Sequence, residues 1–380
     1  MDMKIPFAST NTKSLPFIFD ERKAEELVLK LYNEYVEKKG LYRYENASTA
    51  PQNKHIPGTK TSFQGDVFEH RYVEPKFVKI TKRKHVLWLF FATLTDRRQV
   101  SDEVYKAHVR LIAEYPEIYT INIVNEFKKH LMEFMELCLQ TSYSGKTYHW
   151  IKFTVTFLKE LLEKILGFFG EFLAKYKIGV PRQSGDYWIR CADTLFNDFG
   201  GDPIKLINHC GGTVEGVQAY KRKVEKETGF DPLPGYGPKI TSLLLLFLAE
   251  LGAYEMPVDA FPVDVHVQAL FLQYGAMVTT RDIVNDEAEN FLRPFLCEMS
   301  AKHNMCKVAL SHAFWIKGAK LCTGCSRRKY VSLLCSIEKN CLGRINTAKY
   351  FSHGIWEHPL TFMRKGCGGE LSIQKGSLFD

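Results

Sequence analysis

"LPGYGPKITSLLLLFL", residues 233–248, is the stretch that decides the fold of this chain. Two glycines and two prolines form a turn, and Lys239 is the single charge before a long apolar run. Pro238 suits the first position of a helix, because its φ is already helical and it has no N–H group to leave unpaired. With a first helix expected over Val214–Thr228, the stretch predicts a helix-hairpin-helix whose second helix is buried.

The predicted hairpin has the features of a phosphate-binding turn. Gly235 and Gly237 allow a sharp bend and a close approach of the backbone to another molecule. The unpaired N–H groups at the start of the second helix are expected to face outward and bind a phosphate. Such a turn holds the DNA backbone without reading the base sequence. An ordinary helix-turn-helix corner and a non-catalytic DNA-binding hairpin are the alternatives.

A second motif, "FPVDVHV", follows at residues 261–267 and contains Asp264 between two valines. A carboxylate in apolar surroundings is costly to bury unless it has a specific partner. We expect that partner to be Lys239, whose uncharged amine can attack a sugar carbon and form a Schiff base. The carboxylate can then stabilise the positive charge on the sugar and transfer a proton. Asp259, in the similar "PVDA", is expected to be a loop or cap residue.

Hydrophobic spacing elsewhere in the chain is mainly helical. Ser101 is expected to be the N-cap of one helix and Ser184 the N-cap of another. The polar segment 40–79 is expected to be irregular, because it contains several prolines and glycines. The sequence therefore predicts an all-α protein. The stretches that predict helices outside the hairpin are 21–39, 84–115, 152–176 and 184–201.

Composition and charge exclude some classes of protein. Hydrophobic residues make up 45% of the chain and charged residues 25%, which is typical of a soluble globular protein. The formal net charge of +8 favours a polyanionic partner only weakly. The N-terminal residues lack the apolar core of a signal peptide, and the apolar run of the hairpin is too short to span a bilayer. These features predict a cytoplasmic protein with no membrane partner. Binding of DNA through the hairpin would make it nucleoid-associated.

The two motifs together resemble the HhH-GPD superfamily of DNA glycosylases, whose pattern is L-P-G-x-G-x-K, an apolar helix and then V-D-x-H. The resemblance implies a fold of two helical lobes with a DNA cleft between them. It also places Lys239 on the nucleophilic lysine of bifunctional members and Asp264 on the catalytic aspartate. His266 corresponds to the histidine that follows this aspartate in the family, and we expect it to have a structural role rather than a catalytic one. The step from Lys239 to Asp264 is several residues longer than is usual in the family, which implies an extended loop.

The same resemblance implies a set of DNA contacts. Members of the superfamily flip the target base out of the duplex into a pocket before they act on it. Asp96 and Arg97, in "ATLTDRR", are candidates for a wedge or for the pocket, with a helix cap and a solvated charge as the alternatives. The residues expected to contact DNA are Gly235, Tyr236, Gly237, Lys239, Asp96 and Arg97.

Four cysteines lie close together near the C-terminus, in "CTGCSRRKYVSLLCSIEKNC". Four thiolates suit either an iron–sulfur cluster or a structural zinc. The spacing resembles the C-x6-C-x2-C-x5-C loop of the endonuclease III branch, except that Ser332 stands where that branch has a cysteine. We expect a 4Fe–4S cluster, with structural zinc as the alternative. The expected ligands are Cys322, Cys325, Cys335 and Cys341, with Cys322 in place of the missing thiolate.

The expected function is therefore that of a base-excision repair glycosylase with AP (abasic-site) β-lyase activity. Its partner is double-stranded DNA that carries a damaged base, an oxidised pyrimidine by resemblance to the iron–sulfur branch, or an abasic site. The protein is expected to act as a monomer. A monofunctional glycosylase and a non-catalytic hairpin protein are the alternatives. The predicted organisation is an N-terminal extension (1–80), a glycosylase core (81–320), a cluster loop (321–342) and a tail (343–380).

Overall fold

The computed structural model describes residues 17–37, 82–96, 101–119, 125, 169–178, 181–250, 253–279, 285–318, 337 and 341. These residues are mostly helical, 73% of them, with almost no strand, as an all-α protein requires. The predicted irregular segment 40–79 and residues 152–168 of the predicted helix 152–176 lie outside the described residues. None of the described helices has the length and apolar character needed to cross a membrane.

The chain divides into two compact units. We call Arg43–Pro262 the central unit, and Met1–Tyr42 together with Val263–Asp380 the terminal unit. The boundaries expected at 80, 320 and 342 lie outside the described residues. Within the described ranges the helices are α1 (Glu21–Glu37), α2 (Lys82–Thr95), α3 (Ser101–Glu114), α4 (Pro181–Phe199), α5 (Pro203–His209), α6 (Val214–Thr228), α7 (Pro238–Glu250), α8 (Val265–Gln273), α9 (Asn285–Lys302) and α10 (Lys307–Trp315).

The hairpin helices have the bounds that the sequence predicts. Helix α6 runs over Val214–Thr228, and α7 begins at Pro238. Helix α3 begins at Ser101 itself, one residue from the predicted N-cap position. The N-cap prediction for Ser184 is wrong, because α4 begins at Pro181 and Ser184 lies buried inside the helix. Proline starts a helix without losing a hydrogen bond, which is why α4 extends further toward its N-terminus than the serine alone suggests.

The core of the central unit forms where α7 packs against α2. Both helices are apolar on almost every side, which is the pattern of helices that neighbours surround. The Trp188 ring from α4 stacks on Phe91 of α2, with ring centroids 4.4 Å apart and planes at 13°. It also stacks on His108, at 5.8 Å and 6°. Burial of such large rings supplies much of the hydrophobic stabilisation of the unit.

His108 is the centre of a buried polar chain in this core. The Thr95 hydroxyl donates to the Ala92 carbonyl, so its oxygen is an acceptor for Nε2–H of His108, at 2.6 Å. Nδ1 of His108 then accepts from the Tyr119 hydroxyl, at 2.7 Å. With the proton on Nε2, the neutral ring has a partner at both nitrogens. Burial lowers the pKa of His108 from 6.5 to about 3, because the charged ring would lose its hydration.

The terminal unit brings the first described residues of the chain against its C-terminal helices. Strand β1 (Phe17–Phe19) pairs antiparallel with β2 (Met277–Thr279), and α1 packs on α10. Glu34 of α1 forms an ion pair with Lys317, at 3.0 Å, and both side chains are 2% exposed. The desolvation of two such charges roughly cancels their attraction, so the pair adds little net stability, although removal of one partner would leave an uncompensated buried charge.

Protonation of His108 provides a test of this core. Its folded pKa lies below its unfolded value, so the unfolded chain binds more protons between about pH 6.5 and 3, and stability falls as the pH is lowered through that window. The expected loss is about 1.4 kcal/mol of unfolding free energy per pH unit for one proton. Urea unfolding followed by tryptophan fluorescence at pH 7, 6 and 5 measures it.

The matched controls are His108→Gln, which should flatten this part of the pH dependence, and His209→Gln at an exposed site on α5, which should not. An equal pH slope for the wild-type protein and His108→Gln would show that His108 is not held neutral in the folded core.

Candidate nucleic-acid interface

The turn between α6 and α7 is built from backbone hydrogen bonds. Gly235 has a φ of 92°, in the left-handed region that favours glycine. The N–H of Tyr236 donates to Leu233 O at 3.1 Å, and the N–H of Gly237 donates to Gly235 O at 2.9 Å. Helix α7 then starts at Pro238. The backbone therefore reverses its direction within a few residues, as the sequence predicts.

Side chains of α4 hold the extended segment that enters the turn. Prolines in this segment have no N–H group to pair, but their carbonyls still need donors. The Thr194 hydroxyl donates to Pro232 O at 2.7 Å, and Arg190 donates to Asp231 O at 3.0 Å. These bonds fix the path of the chain before it reaches the glycines.

The Tyr236 side chain anchors the turn to the core. It is 2% exposed, and its hydroxyl donates to the carbonyl of Phe90 on α2. Its ring also stacks on the Phe90 ring, with centroids 4.8 Å apart. The sequence suggests Tyr236 as a DNA contact, but its ring is buried, its N–H donates to Leu233 O and its carbonyl accepts from side chains of α6, so its described groups are all engaged inside the protein.

Gly235 and Gly237 are glycines for different reasons. Position 235 requires glycine because its φ is positive, a conformation that other residues rarely adopt. Gly237 is not among the glycines with positive φ, and a Cβ placed on it would meet nothing within 4 Å. Neither backbone strain nor internal packing therefore requires glycine at position 237. The open space outside its Cα is where a bound group can approach the backbone closely.

The first turn of α7 contains backbone N–H groups without a described acceptor, next to the side chain of Lys239. Within the described part of the chain, the backbone N–H groups of Lys239 and Ile240 have no acceptor, whereas the N–H of Thr241 reaches Gly237 O at 2.9 Å. Lys239 is half-buried at the second position of the helix. No described carboxylate of the central unit forms an ion pair with it. This helix terminus therefore presents two N–H groups, a positive dipole end and a cation.

Asp264 lies in the terminal unit, whereas Lys239 lies in the central unit. Asp264 is the N-cap of α8, and its Oδ1 accepts from the N–H groups of His266 and Val267, each at 2.9 Å. This cap is a second local reason for a carboxylate at this position, and the sequence signal for it is an Asp directly before an apolar helical run. His266 packs closely against Gly318, where a Cβ would lie 2.8 Å from the His266 Cβ.

Asp259 is a capping residue, which is one of the two roles that the sequence predicts. Its carboxylate accepts from the N–H groups of Val214 and Glu215, at 3.1 and 2.9 Å, while the Thr213 hydroxyl accepts from Gly216 at 2.9 Å. The N-terminus of α6 is therefore satisfied within the protein. In the hairpin, the donors that stay open are those of α7.

The remaining predicted site residues are placed only in part. Asp96 follows α2 and is 5% exposed, and its N–H donates to Thr93 O at 3.1 Å. Arg97 lies outside the described residues. Of the four predicted metal ligands, only Cys341 is described, and it is half-buried. The described residues contain no group of three or more His, Cys, Asp or Glu that could hold a metal ion. Cys322, Cys325 and Cys335 lie outside them.

Comparison with known proteins gave no relative: no family model, no curated protein and no solved structure matches this chain.

The two hairpin glycines provide a matched pair for a test of the turn. Gly235→Ala forces an L side chain into the left-handed region and should cost about 1–2 kcal/mol of unfolding free energy. In Gly237→Ala the added methyl group contacts no other atoms and the backbone has no positive φ. The free energy of unfolding should therefore stay unchanged or rise by about 0.4–1 kcal/mol. Urea unfolding of both variants measures the difference. An equal loss for both would mean that the turn has a different conformation.

Proposed function

We propose that this chain is a DNA glycosylase with AP β-lyase activity, with a helix-hairpin-helix of the HhH-GPD type. The observation that carries the proposal is the open first turn of α7. There, unpaired N–H groups, the unoccupied space at Gly237 and the Lys239 side chain are found together. We expect the substrate to be double-stranded DNA with an oxidised pyrimidine or an abasic site.

The DNA backbone is the ligand that suits this turn. A phosphate accepts hydrogen bonds from several N–H groups at once, and the helix dipole stabilises its charge. Contacts of this kind fix the position of the protein on the duplex and contain no base-sequence information. That suits an enzyme whose target is defined by chemical damage.

Lys239 is the proposed nucleophile. Its neutral amine attacks C1′ of the flipped nucleotide, and the bond from C1′ to the base breaks, with the bonding electrons leaving on the base. The attached nitrogen then loses a proton and forms an imine with C1′, while the C1′–O4′ bond breaks and O4′ takes up a proton as the 4′-hydroxyl of the opened sugar. Loss of a proton from C2′ breaks the bond between C3′ and its oxygen, and the 3′ phosphate leaves in a β-elimination. Hydrolysis of the imine finally restores the amine.

Asp264 is proposed to stabilise the positive charge that develops on the sugar. Its Oδ1 already accepts two backbone hydrogen bonds, which hold the carboxylate in one orientation. Among the described residues of its own unit, no donor is bonded to Oδ2. We assign the electrostatic and proton-transfer role to Oδ2, since a fixed carboxylate needs no reorganisation during the reaction.

A non-catalytic DNA-binding protein is the second candidate, and one observation favours it. The N-cap of α8 by itself gives Asp264 a reason to be a carboxylate, so that the motif does not require catalysis. In that case Lys239 contacts phosphate only. A monofunctional glycosylase that uses water as nucleophile gives Lys239 the same role but keeps the catalytic role of Asp264.

We also propose a 4Fe–4S cluster held by Cys322, Cys325, Cys335 and Cys341, with structural zinc as the alternative. Four thiolates are a donor set that suits either metal site. Cys341, the one proposed ligand among the described residues, is half-buried. A bound cluster would cross-link the loop and give it a rigid shape.

Borohydride trapping tests the nucleophile. The wild-type protein should form a covalent adduct with abasic duplex DNA, because reduction of the imine makes the bond permanent. Lys239→Gln should abolish the adduct, and Lys223→Gln, at an exposed lysine of α6, should leave it unchanged. Asp264→Asn should slow base release by about a hundredfold or more.

The outcomes separate the candidates. Base release without trapping identifies a monofunctional glycosylase, and binding with neither activity identifies a non-catalytic protein. Undiminished trapping in Lys239→Gln would contradict the assignment of the nucleophile.

Metal analysis tests the cluster. The purified protein should be brown and contain about four irons per chain, as one 4Fe–4S cluster requires. Cys322→Ser should lose iron as completely as Cys335→Ser, because a serine hydroxyl is a poor iron ligand. Cys297→Ser, on α9, should keep it. One zinc and no iron would identify a zinc site, and full iron in Cys322→Ser would place the fourth ligand elsewhere.

A further inference from the structure

Lys221 has the sequence position of a DNA-binding residue but the surroundings of an internal one. It begins the basic run Lys221-Arg222-Lys223 on α6, the first helix of the hairpin. Its side chain is only 13% exposed, and its Nζ lies 3.3 Å from Oδ2 of Asp231. The same ammonium group donates to the backbone carbonyl of Tyr236 at 2.9 Å. Its hydrogen-bonding capacity is therefore directed into the hairpin.

Gln218 lies one turn earlier on α6 and contacts the same carbonyl. Its Nε2 donates to Tyr236 O at 3.0 Å and lies 3.3 Å from the Thr241 hydroxyl oxygen. One backbone oxygen thus receives two side-chain donors from the neighbouring helix. Because Tyr236 is inside the turn, these two donors fix the orientation of a peptide group that leads directly into α7.

This orientation determines which groups at the start of α7 stay open. In a continuing α-helix, the carbonyl of residue 236 would accept the N–H of Ile240, four residues later. Here the carbonyl points to Gln218 and Lys221 instead, and within the described residues the N–H of Ile240 has no acceptor. The two α6 side chains therefore occupy the carbonyl that would be the acceptor for this N–H if the helix continued one turn further back.

We propose that Gln218 and Lys221 are positioning residues that shape the phosphate-binding turn, and that Lys221 itself makes no DNA contact. The inference rests on the proposed function for its ligand, the DNA phosphate. Its structural part, the redirected carbonyl of Tyr236, is independent of DNA. Lys223 and Lys226 lie on the exposed face of the same helix and provide matched controls.

The first experiment measures the N–H of Ile240 directly by amide hydrogen exchange in the full-length protein. In Gln218→Leu/Lys221→Met the Tyr236 carbonyl is released and turns into α7, so exchange at Ile240 should slow by about tenfold. Simple loosening of the turn would instead leave exchange unchanged or make it faster, and either result would overturn the inference. The measurement needs no DNA, so it stands even if the proposed function fails.

The second experiment measures binding to a duplex that contains a tetrahydrofuran abasic analogue, over a series of salt concentrations. Lys221→Met and Gln218→Leu should each weaken binding by about tenfold, with the salt slope of the wild-type protein. Lys221→Arg, which can donate to the same carbonyl, should bind with the affinity of the wild-type protein. Lys223→Met and Lys226→Met report the effect of losing a charge from the same helix.

Two results would overturn the assignment. A decrease of about 0.9 in the magnitude of the salt slope for Lys221→Met would identify a phosphate contact instead. Unchanged affinity in a folded Lys221→Met, confirmed by circular dichroism, would show that the carbonyl bond does not shape the site. If Lys221→Met does not fold, the uncharged Gln218→Leu decides the question alone. Absence of binding by the wild-type protein would contradict the proposed function and leave the exchange result to decide the inference.

Discussion

The peptide group between Tyr236 and Gly237 is the constraint on which the hairpin depends. Its carbonyl accepts from two side chains of α6, and its N–H donates back to Gly235 at 2.9 Å. This carbonyl is occupied by α6 and makes no bond to the first turn of α7, whose first N–H groups are open among the described residues, as they are at any helix start without a cap. The buried Tyr236 ring fixes the same residue from the other side by stacking on α2. The turn is thus held by the core and need not be ordered by a ligand.

The two helices of the hairpin differ in how their N-termini are capped. The N-terminus of α6 is closed by Thr213 and Asp259, so no ligand is needed there. The N-terminus of α7 has no such cap among the described residues. A helix start that lacks a protein cap, lies next to a lysine and has a glycine with open space beside it is suited to an anion. This contrast within one motif is the physical basis for the proposed contact with DNA.

Local patterns predicted the hairpin well, because proline, glycine and the apolar run act through the nearest residues. The bounds of α6 and the start of α7 follow from such signals. The helix that Asp259 caps is α6, far away in the sequence, and no local signal predicts that partner. Long-range partners were not predictable in this way. Nothing in the sequence marks Lys221 as an internal donor, and its neighbours in sequence suggest a surface charge. The pairing of Glu34 with Lys317 joins residues far apart in the chain and has no local signal either. For Asp264, the local signal of a helix cap, an Asp directly before an apolar helical run, coincides with the residues of the catalytic motif.

The central claim is that a hairpin built for backbone contact belongs to an enzyme that acts on damaged DNA. The most direct measurement is to incubate the purified protein with labelled duplexes that carry an oxidised pyrimidine, an abasic site or no lesion, and to separate the products by size. The account predicts cleavage at the lesion by β-elimination, with the undamaged duplex left intact. Binding of all three duplexes without base release or strand cleavage would contradict it.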